Sequence, residues 1–315
     1  MLLREVDNYT QKMKIAVLLT CHNRRAKTEK CLQSLKTALC FYKGGVEDGL
    51  CIEIFLTDDG CTDGTDESAR EVFPNPEQLH IIHGNGNLFW AGGMRLCWLE
   101  ALKRHNEWDY YLLLNDDVLL LENVFAELFN AEQFALKKCG KEGLVSGITC
   151  AKDDPTKLTY GGEVWVNRFF AKTRRLKPNG EPQLCDLTNA NILLVPSHIV
   201  SHIGIFYGGY QHGQADYDYS SLTRKAGYPV VLTAKFCGYC DRDHLETKEI
   251  EDRVKAMSLS ERKAYFKNPI HSNRDYLRFY YRTSPIRVPI VWLGRSLNVY
   301  FPRFYYYVSS IRRRL

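Results

Sequence analysis

At 315 residues, with 45% hydrophobic and 25% charged residues, the chain is long enough for one large α/β domain or two small ones and has the composition of an ordinary globular protein. No apolar run approaches the ~20 residues that span a bilayer, the N-terminus has no apolar signal core, and no repeat or low-complexity tract stands out, so neither a secreted nor an integral-membrane protein is expected. The formal charge of +5 is unevenly held: residues 271–315 carry nine arginines, no lysine and one acid, Asp275, which makes this tail +8 and leaves −3 for everything before it.

The chain opens with a polar lead-in over residues 1–11, then runs into Lys14-Ile-Ala-Val-Leu-Leu-Thr20, which ends in Cys21-His-Asn-Arg-Arg25. Thr28, Cys31, Leu32, Leu35 and Leu39 follow at helical spacing, so strand, polar loop and helix form the first unit of a parallel α/β sheet. A second strand is expected over 51–57, running into Asp58-Asp-Gly-Cys-Thr-Asp-Gly-Thr65 and a helix over 66–72. A third apolar segment, 79–82, leads into His83-Gly-Asn-Gly-Asn87 and Leu88-Phe-Trp-Ala-Gly-Gly93, with a helix expected over 94–104.

The fourth strand lies within Tyr110-Tyr-Leu-Leu-Leu-Asn-Asp-Asp-Val-Leu-Leu-Leu121. Burying two adjacent carboxylates without partners is prohibitively costly, so Asp116 and Asp117 must meet a cation, a hydrogen-bond network or solvent. A hard divalent ion held by carboxylate and phosphate oxygens is one answer. A turn that caps a helix over 122–134 is the other. Four successive strand ends thus collect acidic, amide or glycine residues on the side of an open parallel sheet where ligands bind.

Those stretches carry a resemblance. Thr57-Asp-Asp-Gly-Cys-Thr-Asp-Gly-Thr65 resembles the strand-end signature of family 2 glycosyltransferases, with Cys61 in place of the usual serine. Thr20-Cys-His-Asn-Arg24 looks like their first-strand motif, Asn87-Leu-Phe-Trp-Ala-Gly-Gly93 like their glycine-containing loop, and Asn115-Asp-Asp117 like their metal-binding motif, in the same order and spacing. Further on, Tyr210-Gln-His-Gly-Gln-Ala-Asp-Tyr-Asp-Tyr219, before a helix over 220–226 closed by Gly227, resembles the acceptor-side motif, although Ala215 stands where glutamate is commoner. The resemblance, nearest to rhamnosyltransferase-like enzymes of bacterial polysaccharides, implies a GT-A fold: a single Rossmann-like, mostly parallel sheet flanked by helices. It also implies a glycosyltransferase domain over 1–245, with a nucleotide-sugar half over about 12–120 and an acceptor half over about 121–245, followed by a basic, aromatic C-terminal extension over 246–315.

What the resemblance implies chemically is inverting transfer of a sugar from a nucleotide-diphosphate donor to a glycan or lipid-linked acceptor in surface polysaccharide synthesis. Asp117 would hold Mn²⁺ or Mg²⁺, which neutralises charge on the departing diphosphate, and Asn115 or Asp116 would bond the ribose. Asp58 is placed against the nucleobase, where a carboxylate accepts an imide N–H, so a UDP- or dTDP-sugar is favoured. Thr20, Asn23, Asn87 and Gly92 belong to the nucleotide-binding motifs. Asp216 is the expected general base, with Asp218 and His212 as substrate contacts beside it and helix capping as the alternative for both acids. His244 is an additional candidate metal ligand.

Eleven cysteines, an odd number scattered among apolar residues, fit a reducing, cytoplasmic setting. Cys237 and Cys240 near His244 form only half of a zinc pattern. The arginine-rich, aromatic tail suits peripheral docking on an anionic inner-leaflet surface, or packing back on the domain or against another subunit; Pro285, Pro289 and Pro302 exclude one continuous helix. Nucleic acid is a poor fit, since no recognisable module accompanies the charge. A nucleotidyltransferase would show a glycine-rich basic loop after the first strand, and an oxidoreductase a Gly-x-Gly-x-x-Gly turn; Cys21 to Arg25 offers neither. A non-catalytic glycan or sugar-nucleotide binder stays open.

Overall fold

The computed structural model describes residues 12–45, 49–168, 172–241 and 247–314. The first half is the expected alternation: β1 (Lys14–Cys21), α1 (Arg25–Gly45), β2 (Cys51–Asp58), α2 (Thr65–Val72), β3 (Leu79–His83), α3 (Phe89–Leu102) and β4 (Tyr110–Leu114). β1 is buried at every position after Lys14 and β4 throughout, as unbroken apolar runs covered on both faces should be. α3 begins five residues before the expected Met94, because Gly92 and Gly93 lie inside the helix rather than in the loop before it. There they let it sit close to the sheet: a Cβ on Gly93 would lie 2.0 Å from Thr20 Oγ1.

The second half holds β5 (Leu119–Leu120), α4 (Val124–Cys139), β6 (Leu144–Cys150), β7 (Leu158–Tyr160), β8 (Gly162–Asn167), β9 (Lys172–Arg175), β10 (Gln183–Leu184), β11 (Leu187–Thr188), β12 (Ile192–Pro196), α5 (Ser197–Ile203), α6 (Ala215–Lys225) and β13 (Val230–Tyr239). The main sheet runs β10-β13-β6-β12-β4-β1-β2-β3, with β5 added to β13 and β7 to β6; β11-β8-β9 form a small second sheet. β3, β2, β1 and β4 are parallel, while β12 runs antiparallel to both β4 and β6, so the sheet is mixed. Leu187-Thr-Asn-Ala-Asn-Ile-Leu-Leu-Val195, which reads in sequence as one apolar strand, is in fact two: β11 and β12 belong to different sheets, and Asn189 and Asn191 lie in the break.

Two clusters of buried apolar residues cover the two faces of the sheet, one joining it to α1, α2 and α4, the other to α3, α5 and α6. The tail follows as α7 (Thr247–Ala256), α8 (Leu259–Lys267), α9 (Asn273–Thr283), α10 (Val288–Tyr300) and α11 (Pro302–Arg314). Its prolines stand where helices begin, Pro289 early in α10 and Pro302 first in α11, positions whose missing N–H costs nothing. The tail divides by its cores. Phe279 and Tyr280 of α9 join the second sheet-face cluster, whereas Val254, Phe266, Val299 and Tyr306 gather α7, α8, α10 and α11 around a small core of their own.

Candidate active site

After β3 the chain crosses to the far side of β1, so the strand order reverses between β1 and β4, and the crevice beyond their carboxyl ends is the place where open α/β sheets bind ligands. A cleft of about 520 Å³ opens there. Thr20, Asn115, Asp116, Asp117, His212 and Asp216 all line it, although nearly 200 residues separate the first from the last.

At the β4 end, Arg24 organises the acids: its Nη1 lies 3.1 Å from Asp116 Oδ1 and its Nη2 2.6 Å from Asp117 Oδ2. Asp116 is buried and takes a second bond from Thr28 Oγ1 at 3.3 Å. Burial pushes its carboxyl up to about 7 against the opposing pull of Arg24, with the neighbouring Asp117 adding to the rise. Asp117 is more open, and among the described residues its Oδ1 accepts the weak Cys240 thiol at 3.6 Å. Asn115 is held from both sides: its N–H donates to Asn191 O, and its Oδ1 accepts Trp90 Nε1–H at 2.8 Å. Oxygen donors on an open strand end, with Asp117 facing the cleft, suit a hard cation that takes one or two carboxylates and completes its shell with phosphate oxygens.

The β2 end is a scaffold for the loops. Asp59, not Asp58, lines the cleft, and its two carboxylate oxygens accept the N–H groups of Gly86 and Leu88 at 2.8 Å each, tying the glycine loop down. Asp58 is buried beside it, Oδ1 accepting Cys61 N–H at 2.6 Å and Oδ2 lying 3.7 Å from His83 Nδ1. Asn23 Oδ1 accepts Thr62 N–H, clipping the first loop to the second. Asp58, Asp66 and His83 offer ligand atoms within 4.8 Å of one another. His83 directs Nδ1 at Asp58, 3.7 Å away, and Nε2 at Asp66, 3.8 Å away, so the three could share a cation through one ring nitrogen.

Across the cleft, α6 begins at Ala215 rather than at Ser220, which puts Asp216 in its first turn. Asp216 Oδ1 accepts Tyr217 N–H at 2.9 Å and Oδ2 accepts Asn189 Nδ2 at 3.4 Å. Burial pushes it up to about 6, only partly offset by those two bonds. Asn189 was visible in the sequence only as an amide interrupting an apolar run; its Oδ1 is buried without a hydrogen-bond partner. Two residues lining this cleft, Phe89 (φ 56°) and Gln214 (φ 69°), hold left-handed backbone conformations, as does neighbouring Asn23 (φ 50°). Strain of that kind in non-glycine residues concentrates at functional sites.

Other expected residues stand elsewhere. Asp218 is buried away from the cleft, with Arg282 Nε of α9 at 3.1 and 2.9 Å from its two oxygens. Gly92 is buried within α3, Asn87 is exposed beside Asn85, and neither Asn23 nor Asp58 lines the cleft. His244 lies outside the described residues. Cys237 and Cys240 are engaged separately, Cys237 with Thr233 Oγ1 and Cys240 with Asn191 Nδ2, and none of the eleven cysteines forms a disulfide among the described residues. Arg24 and Asp59 sat inside recognised motifs without a role assigned to them. Asp275, the tail's one acid, is buried and accepts the N–H groups of Gln211 and His212, fixing the loop that leads to Asp216.

The sequence profile of the family described as Glycosyl transferase family 2 matches residues 16–190. No curated protein sequence matches the chain. Among solved structures, the mannosyltransferase PcManGT from Pyrobaculum calidifontis, in complex with GDP-Man and Mn²⁺, superposes with a TM-score of 0.52 at 12% identity, over 94% of this chain and 72% of that one. GalNAc-T7 with UDP, GalNAc and Mn²⁺ gives a TM-score of 0.57 at 12% identity over 92% of this chain, which spans about half (52%) of its length.

Proposed function

The chain belongs to glycosyl transferase family 2, has the GT-A fold and is a glycosyltransferase, and from that premise we propose a metal-dependent inverting enzyme that uses a nucleotide-diphosphate sugar. The observation that carries the reading is the cleft itself, with Asn115, Asp116 and Asp117 on one wall and Asp216, a carboxyl raised to about 6 by burial and bonded to no basic side chain among the described residues, on the other. Asp117, with the diphosphate, would hold Mn²⁺ or Mg²⁺, which when bound offsets charge on the leaving group. Asn115, fixed by Trp90, or Asp116, fixed by Arg24 and Thr28, would bond the ribose. The resemblance favours UDP or dTDP; Asp58, which lies outside the cleft with Oδ2 3.7 Å from His83 Nδ1, would have to exchange that neighbour for the imide N–H of a uracil or thymine base.

Asp216 accepts the acceptor hydroxyl proton as the new bond to the anomeric carbon forms and the bond to the diphosphate oxygen breaks on the opposite face, giving inversion. A carboxylate in a helix's first turn is held in its basic form by the N-terminal dipole, while burial keeps it a strong enough base to take the proton. Asn189 aims it.

The acceptor in this reading is a glycan or lipid-linked sugar at the cytoplasmic face of a membrane, in surface polysaccharide synthesis. Support comes from the outward side of the tail, where Ile286, Ile290, Trp292 and Leu293 are exposed alongside Phe301, Phe304, Tyr307 and Ile311 in a segment rich in arginine. No helix among the described residues is long and apolar enough to cross a bilayer, so the contact would be peripheral.

The test is a thermal-shift panel of UDP, dTDP, GDP and CDP, each with and without Mn²⁺, on wild type and Asp117→Ala. One diphosphate is expected to raise the melting temperature in a metal- and Asp117-dependent way. If none does at millimolar ligand, the metal-diphosphate assignment fails and a binding module becomes the better account.

A further inference from the structure

A second cavity, of about 360 Å³, lies between the start of α6 and the tail helices. Its volume is within the ~300–1,000 Å³ typical of small-molecule sites. It shares Gly213, Gln214 and Ile270 with the main cleft, so the two spaces meet next to Asp216. The walls carry four tyrosines, Tyr265, Tyr276, Tyr305 and Tyr306, together with the polar side chains of Gln214, His271, Ser272, Asp275, Arg295 and Asn298. Asp275, the one acid among them, accepts the N–H groups of Gln211 and His212 and lies 3.6 Å from Arg278 Nη1, so its charge is already met; two of the other polar side chains stand out. One is Arg295, whose guanidinium lies 3.6 Å from the centroid of the Tyr276 ring. Among the described residues no carboxylate forms an ion pair with it. The other is Asn298, only 4% exposed, whose Oδ1 has no hydrogen-bond partner.

These features have a common chemistry. A guanidinium stacked on a ring keeps its N–H edge available and favours planar or multi-oxygen anions. A buried amide oxygen with no partner is costly unless a hydroxyl or N–H arrives to meet it. Aromatic walls accept the apolar face of a ring. The cavity adjoins the proposed base rather than the β2 and β4 ends where the nucleotide is placed. We propose that it is an acceptor subsite that binds a sugar carrying an acidic group, phosphate or carboxylate, with the anion on Arg295 and a hydroxyl donating to Asn298. This assignment rests on the glycosyltransferase reading, since it is Asp216 that makes the neighbouring occupant an acceptor.

The experiment measures binding of glucose 6-phosphate, glucuronate and methyl glucoside by calorimetry to the full chain in metal-free buffer, which disfavours binding at the diphosphate end. Wild type is expected to bind at least one acidic sugar ten or more times more tightly than methyl glucoside, and the tighter of the two identifies the acid. Arg295→Gln is expected to erase that preference while keeping the wild-type response to nucleoside diphosphate and Mn²⁺, which also reports that the variant is folded. Should Arg295→Gln fail to fold, Arg295→Lys, which keeps the charge, is expected to retain the preference at reduced affinity. Equal binding of acidic and neutral sugars, or an undiminished preference in Arg295→Gln, overturns the assignment, as does its disappearance in a folded Arg295→Lys. Absence of any nucleotide response in wild type would instead count against the glycosyltransferase reading and leave the sugar titrations to report on the cavity alone.

Discussion

The carboxyl end of β4 and the amino end of α6 each present two acids and an arginine, and they differ in where the arginine goes. At β4, Arg24 reaches both Asp116 and Asp117, so one positive charge serves two negative ones and the pair still attracts a cation. At α6, Arg282 is bonded to Asp218 alone, and Asp216 is left with an amide and a backbone N–H. The first arrangement fixes buried Asp116 on Arg24 and Thr28 and leaves Asp117 facing the cleft, where it can hold something positive. The second suits one acid that builds the fold and another that trades a proton. Adjacent carboxylates in sequence are therefore not equivalent in use; the guanidinium decides which one is available.

The comparison is most severely tested by Asp216→Asn, expected to lower transfer by roughly 10³-fold while leaving the nucleoside diphosphate melting shift intact. A loss of nucleotide response in the same variant would show that the α6 end does not act independently of the β4 end. Asp117→Ala is expected to cut transfer by on the order of 10²–10³-fold and to remove its dependence on added Mn²⁺; an unaltered metal titration would move the ion elsewhere. Arg282→Ala leaves buried Asp218 without its partner and should destabilise the protein by about 3 kcal/mol in a denaturant titration, and Asp218→Asn in that background should recover part of the loss. A loss of nucleotide binding with unchanged stability would contradict the structural role.

A smaller effect separates the acids by pH. Asp216 must be ionised to take a proton, so with its carboxyl raised to about 6 the transfer rate should fall about tenfold per pH unit below that point and level off above it. Asn189→Ala removes a bond to the charged form and should move this limb to higher pH; movement to lower pH would mean that Asn189 does not support the carboxylate. Smallest is the membrane contact: Phe301→Ser with Phe304→Ser should weaken co-sedimentation with phosphatidylserine vesicles by about tenfold without changing nucleotide binding, and equal sedimentation would remove lipid from the proposed partners.

Much of the donor side was legible from the chain alone. β1, β2 and β4 are apolar runs ending in polar residues, and a parallel sheet gathers such ends at one edge without further instruction. Local chemistry also located the stop of α6 at Gly227, which adopts φ +86°, and the breaks at Pro285 and Pro302. Roles within the motifs were not legible. Nothing in Asp58-Asp59 says that the second acid would hold the glycine loop, nor in Asp216 and Asp218 that Arg282, more than sixty residues on, would claim one of them. The tail shows the same limit. The sequence left open an anionic surface or packing back on the domain, and Arg278 and Arg282 of α9 bond to Gly209 O and Asp218, while its one acid anchors the loop before α6. Sequence alone determined which segments are apolar, where they stop and which chemical groups stand at their ends, because backbone propensity and burial act over a few residues. Which acid is exposed, paired or left to titrate was decided only by the tertiary structure, because charge is governed by neighbours in space and by the water that packing excludes.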